Sequence, residues 1–167
     1  MVMTMSEHGI EYFINQTLTG ETQKNALEFA AYLRASEMSL ERQTIGYWAD
    51  KIYFICNYKG ESVCYIAINE YNDGAWYITA DDSGSNWFED FPLDERTKEI
   101  AWENVNVCES YCGGCGNPEG GTPKKIFGKE FDKVCLVTMK FENPNAEEVE
   151  CMKKIFEIRR NYILKNI

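Results

Sequence analysis

The chain has 167 residues, of which 44% are hydrophobic and 14% aromatic, and 17 basic against 27 acidic side chains leave a formal charge of -10. That length matches one domain with a core of its own, and the apolar content excludes wholesale disorder. The acidic balance repels a phosphate backbone, so nucleic acid is not an expected partner. No apolar run approaches the roughly 18 residues needed to span a bilayer, and Met1 to Leu18 lacks the basic start and continuous apolar stretch of a signal peptide. The expectation is a cytoplasmic protein without a membrane partner.

The first twenty residues mix apolar and polar types without a sustained period and read as an arm or a short helix, with a single α+β domain over residues 21–167. From Gln23 to about Ser36, Ala26, Phe29, Ala30 and Leu33 recur at helical spacing and predict an amphipathic helix. Lys51 to Tyr58 alternates as a strand, Lys59-Gly60 supplies a turn, and Val63 to Asn69 resumes, which predicts a hairpin. Asn72-Asp73-Gly74 is a second turn signal, and Trp76 to Thr79 extends the pair to a three-stranded antiparallel meander. Asp81 to Pro92 reads as a polar loop with aromatic anchors. Asp94 is placed to cap a helix from about Glu95 to Val107.

Gly113 to Pro123 holds five glycines and two prolines, which points to a long shaped loop without regular structure. Lys133 to Phe141 follows as a strand, with Cys135, Val137, Met139 and Phe141 on one side. Asn145 and Glu148 form a capping arrangement for a closing helix whose inner stripe is Val149, Met152, Ile155, Phe156 and Tyr162. The basic residues Lys153, Lys154, Arg159, Arg160 and Lys165 on that helix read as a solvated face. The predicted fold is α+β: an antiparallel meander plus one or two later strands, covered by about three helices.

Seven cysteines are a high, odd count, which a reducing cytosol keeps as thiols or metal ligands. Cys108, Cys112 and Cys115 lie within eight residues, and Cys135 follows on a predicted strand. Four thiolates meeting there would suit a tetrahedral structural zinc that orders a glycine-rich loop. The other reading keeps the same cysteines as unmetallated thiols, with Cys56, Cys64, Cys135 and Cys151 at positions consistent with core packing; both readings stay open. A thioredoxin-like role for Cys112 and Cys115 is disfavoured, because that chemistry places its thiolate at a helix N-terminus and this pair leaves a helix for a loop.

The sole histidine, His8, falls in the N-terminal arm, so a Ser-His-Asp or Cys-His site has no histidine in the predicted core and no catalytic residue is assigned. Carboxylates crowd only in Asp81-Asp82 and Glu89-Asp90. An enzyme using thiol or carboxylate chemistry near the 81–90 loop is the alternative this suggests. Trp48, Tyr53, Tyr65, Trp76 and Trp87 gather around the predicted meander and are the candidate pocket for a flat or apolar small-molecule ligand, if they are not divided between core and helix contacts.

Ala101-Trp102-Glu103-Asn104-Val105, the cysteine-rich loop, the KKIFGKEFDKVC run from Lys124 to Cys135, and Glu150-Cys151-Met152-Lys153-Lys154 resemble a family of uncharacterised clostridial and other Firmicutes proteins. More faintly, a strand and a closing helix ending in Glu157-Ile158-Arg159-Arg160 are similar to small bacterial frataxin-like domains described as iron chaperones. The first resemblance implies no activity. The second implies an antiparallel sheet covered by helices and, as an alternative function, acidic iron delivery, but it carries no site residues across. The reading is a non-enzymatic binding or regulatory domain for a small molecule or a protein partner, with zinc as its one candidate cofactor.

Overall fold

Residues 8–70, 72–81, 87–89, 93–109 and 117–167 are described in the structure, a computed structural model. Two helices, α1 (Ile10–Thr17) and α2 (Gly20–Ala35), lead into strands β1 (Ser39–Arg42), β2 (Ile52–Tyr58), β3 (Glu61–Ile68) and β4 (Trp76–Asp81). Helix α3 (Glu95–Glu103), strands β5 (Val105–Val107), β6 (Thr122–Ile126) and β7 (Lys129–Glu142), and helix α4 (Ala146–Lys165) complete the chain. All seven strands join one antiparallel sheet in the order β1-β2-β3-β4-β7-β5, with β6 also on β7. The fold is α+β, with more strands among the described residues than the sequence suggested and with four helices there. Among the described residues no helix is long and apolar enough to cross a membrane.

Side chains alternate across a strand, so register decides which residues share a face. Three rows run across the sheet on one face: Ile52, Ile68 and Trp76; Phe54, Ile66, Ile78 and Phe141; Cys56, Cys64, Ala80 and Met139. Apart from half-buried Ile52 they are buried, and the apolar faces of all four helices enter the same core. Phe13 of α1 meets Phe54 at 5.9 Å between ring centroids, and Phe29 of α2 meets both Trp76 (6.2 Å) and Phe156 of α4 (5.8 Å). Of the arm or short helix expected over the first twenty residues, residues 10–17 form the short helix, and Ile10, Phe13, Ile14 and Leu18 are core residues.

Several local expectations change. The helix opened by Asp94 ends at Glu103, and Val105–Val107 pair with β7 instead. Isolated three-residue strands have no sequence signature, and the β-branched pair Val105 and Val107 is held by its neighbour rather than by local preference. Thr122 and Pro123 are likewise not loop but the start of β6, and the β6–β7 register shifts at Pro123, which has no N–H for the ladder. The pairing of β4 with β7 slips between Ala80 and Asp81, from Ala80↔Met139 to Asp81↔Val137. That bulge removes Cys135 and Val137 from the face of Met139 and Phe141 and leaves Cys135 partly exposed.

The basic residues of α4 are not one solvated face. Arg159 is 3% exposed and donates to the Ser62 carbonyl through Nε (3.2 Å) and an Nη (2.9 Å). Arg160 donates to the Ser36 carbonyl, while Lys154 reaches Asp94 at 3.0 Å. Asn145 and Glu148 form the anticipated capping box.

Gly121 and Gly128 both hold positive φ (66° and 90°), but a Cβ on Gly121 would lie 2.7 Å from the backbone carbon of Lys133, whereas Gly128 has open space. Gly128→Ala should cost about 1–2 kcal/mol from left-handed strain alone, and Gly121→Ala clearly more, measured by denaturant unfolding of both variants. Asp94 accepts from the Thr97 hydroxyl and N–H and from Lys154, which hold its carboxyl well below the ordinary range. A depressed native pKa contributes stability that is complete above the unfolded value near 4 and is lost as pH falls below it. Asp94→Asn should therefore melt lower than the parent at pH 7, with the gap closing below about pH 4 in thermal scans.

Candidate functional site

The sheet's other face is built by the alternate residues of the same strands. Tyr53, Ala67, Tyr77 and Glu142 make one row across four strands, and Ile55, Tyr65, Thr79 and Lys140 make the next. None of Tyr53, Tyr65, Ala67 or Tyr77 belongs to the helix-packed core. Three tyrosines on the solvent side of an antiparallel sheet exceed what pairing requires, since such a face is ordinarily polar.

The connection from β1 to β2 adds to this face. Gln43 N–H donates to the Tyr53 carbonyl, Gly46 turns the chain at φ 66°, and a single 3₁₀ turn over Gly46–Trp48 returns it. Trp48 is thereby laid flat on Tyr53, with centroids 3.6 Å apart and planes 10° from parallel. Tyr53 continues to Tyr65 at 5.9 Å and 9°. Tyr47 meets Trp48 edge-on at 4.7 Å and 83°. Aromatic pairs of this kind add about 0.5–1.5 kcal/mol beyond their buried area. The series Tyr47, Trp48, Tyr53, Tyr65 is thus a held array.

Its borders are charged. Lys51 Nζ lies 4.2 Å from the Tyr47 centroid and Lys140 Nζ 4.6 Å from that of Tyr77, in cation–π contact. Tyr47 donates its hydroxyl to Glu70 Oε1 at 3.0 Å, and this carboxylate raises the Tyr47 pKa by stabilising the protonated phenol. Even so, Tyr47 is 61% exposed and its neighbour Ile45 83% exposed, so an apolar tip projects beside the array.

Of the five aromatics expected to line a pocket, Trp48, Tyr53 and Tyr65 come together on this face. Trp76 and Trp87 do not: they are 2% and 0% exposed and sit in the core. Parity explains Trp76, which pairs with Ile68 in a buried row. Trp87 is covered from the other side by the Arg159 guanidinium, 5.9 Å from its ring. Tyr77, another aromatic of the predicted meander, stands on this face one strand beyond Ala67.

Among the four clustered cysteines, Cys112 and Cys115 lie outside the described residues. Cys108 N–H donates to the Lys133 carbonyl at 2.8 Å, directly after the Val107↔Val134 pair. Cys135 is two residues along β7 from Lys133, where the pairing with β5 shifts register between Val107↔Val134 and Val105↔Met139. Both cysteines are half-buried. Among the described residues no three His, Cys, Asp or Glu side chains come together as a metal site. Residues 82–86 and 90 of the acidic loop also lie outside the described residues.

The remaining described cysteines are core thiols. Cys56 and Cys64 face each other across β2 and β3, both fully buried, and burial next to Cys56 drives the Cys64 pKa far up. Cys151 donates to the Thr97 carbonyl at 3.5 Å, and burial raises its pKa to about 12. The thiolate is the nucleophile, so alkylation of native protein at pH 8 should modify Cys108 and Cys135 while sparing Cys56, Cys64 and Cys151 until denaturant is added, as read by peptide mass mapping.

Comparison with protein-family models, with curated proteins and with solved structures finds no match for this chain, so its function is argued from its own residues.

Proposed function

We propose that this is a cytosolic binding module that carries a flat ligand on the tyrosine-rich face of its sheet. One observation supports the reading most: Trp48, Tyr53 and Tyr65 are held as near-parallel rings on the face opposite the helix-packed core. Holding aromatic rings in fixed parallel planes lowers the entropy lost when another ring is added to them. Ala67 and Thr79 are the small residues between Tyr53, Tyr65 and Tyr77, so the tyrosines stand proud of the sheet there. The chain's own lysines over Tyr47 and Tyr77 illustrate that these rings accept a group on their faces.

A second reading attaches to the cysteines. The backbone bond of Cys108 to Lys133, two residues before Cys135, together with Cys112 and Cys115 following Cys108 in the sequence, favours a structural zinc or thiol cluster. This would be a stabilising element of the same module rather than a competing activity. Zinc analysis of protein purified without chelator decides it: about one zinc per chain, lost in Cys108→Ser, supports the cluster, and none removes it.

The ligand reading is tested with riboflavin and adenosine as flat probes and cyclohexanol as a non-planar control, followed by quenching of tryptophan emission. Trp48 is the half-buried tryptophan of the array, so the flat probes should quench it and cyclohexanol should not. Trp48→Ala should weaken binding of the better probe at least tenfold, a loss of about 1.4 kcal/mol, while the melting temperature stays within a few degrees. Equal response to all three compounds, or full binding by Trp48→Ala, would remove the proposal.

A further inference from the structure

Next to the tyrosine-rich face, the turn joining β3 to β4 and the corner joining β7 to α4 enclose a pocket of about 170 Å³, lined by Glu70, Asn72, Trp76, Tyr77, Glu142 and Asn143 among others. The backbone around it is well held. Asn143 exchanges hydrogen bonds with Trp76, donating from its own N–H to the Trp76 carbonyl (2.8 Å) and accepting the Trp76 N–H on Oδ1 (3.0 Å). Asn69 accepts the Gly74 N–H on Oδ1 at 2.7 Å. What distinguishes the pocket is that two of its lining residues carry buried polar atoms with no hydrogen-bond partner among the described residues: Glu70 Oε2, an acceptor, and Trp76 Nε1, a donor. Trp76 is 2% exposed. Buried polar groups are nearly always paired, and an orphan of each polarity beside one cavity asks for one group offering the complement of both.

We infer that this pocket is the polar subsite of the ligand surface and takes a carboxamide-like edge, a neutral group that presents an N–H donor and a carbonyl acceptor together. The inference rests on the reading of the neighbouring face as a ligand surface and names the chemistry at one end of that ligand. Volume argues for a fragment, because whole drug-sized ligands occupy roughly 300–1,000 Å³. Charge argues against a carboxylate, which would bring no donor to Glu70 and would face both Glu70 and Glu142. An ammonium would satisfy Glu70 but leave the Trp76 N–H without an acceptor. Glu70 links the two parts physically: its Oε1 accepts from Tyr47, at the border of the aromatic array, while its Oε2 belongs to the pocket residue set. Tyr77 lines the pocket and also stands in the outer row of tyrosines.

The test uses benzamide, benzoate and benzylamine as probes on the full chain, with the four indole N–H signals observed by two-dimensional NMR and that of Trp76 identified by its absence in Trp76→Phe. Benzamide is expected to shift the Trp76 indole N–H progressively, with benzoate and benzylamine each at least tenfold weaker. Glu70→Ala, at a partly exposed position, should weaken benzamide at least fivefold. Benzamide indistinguishable from benzoate, benzylamine binding as well as benzamide, an unmoved Trp76 signal, or unchanged binding in Glu70→Ala would each overturn the subsite. A lost riboflavin response with an intact Trp76 shift would instead strike the aromatic array and leave the pocket's chemistry standing on its own.

Discussion

Everything in this molecule depends on a sheet whose described residues pack against helices on one face only. The inner rows, centred on Phe54, Ile66, Ile78 and Phe141, form the floor against which all four helices pack. Because side chains alternate with a period of two, each residue committed to that floor commits its neighbours to the opposite side. Tyr53, Tyr65 and Tyr77 are where they are because Phe54, Ile66 and Ile78 are where they are. The outer face is thus free to carry function: its side chains make little contribution to the core, and changing them leaves the rows beneath in place.

Strand β7 is the seam that joins this meander to the rest of the chain. Residues that pair with the same β7 position from two strands must lie on its two edges, so Met139 separates β4 from β5 and Val134 separates β5 from β6. The β4 ladder ends at Val137 and the β6 ladder begins at Val134, which leaves a short gap along one edge. Lys124 fills it, donating through Nζ to the Cys135 carbonyl (3.3 Å) and to the buried Thr138 hydroxyl (3.1 Å). A cation on the backbone carbonyl of a break in the ladder replaces what an N–H of a neighbouring strand would supply. The register slip at the end of β4 sets Cys135 apart from the buried row.

Helix α4 is tied down by polar contacts as much as by its apolar stripe. Arg159 and Arg160 place guanidinium groups on the Ser62 and Ser36 carbonyls, at the start of β3 and the end of α2, where carbonyls lack partners within their own elements. Planar forks with several donors suit this task better than lysine. They take two of the chain's few cations into its interior contacts and leave the surface with its acidic surplus, a setting that favours neutral or basic ligands over anions at the outer face.

How much of this was legible in the sequence follows from the range of the forces involved. The meander, the Asp94 and Asn145 caps, the closing helix and the grouping of Trp48, Tyr53 and Tyr65 rest on interactions within a few residues, and spacing alone revealed them. The brevity of α3, the strands β1, β5 and β6, the inward turn of Arg159 and the departure of Trp76 and Trp87 from the aromatic set were not legible. Each depends on a partner far along the chain: Val105 on Met139, Thr122 on Val134, Arg159 on Ser62, Trp87 on Arg159. The pocket that holds Glu70 and Trp76 forms where the β3–β4 turn meets Glu142 and Asn143. Local periodicity determined which residues could share a face of this protein; only the tertiary register decided which face was covered, because burial is settled by what packs against a strand and not by the strand itself.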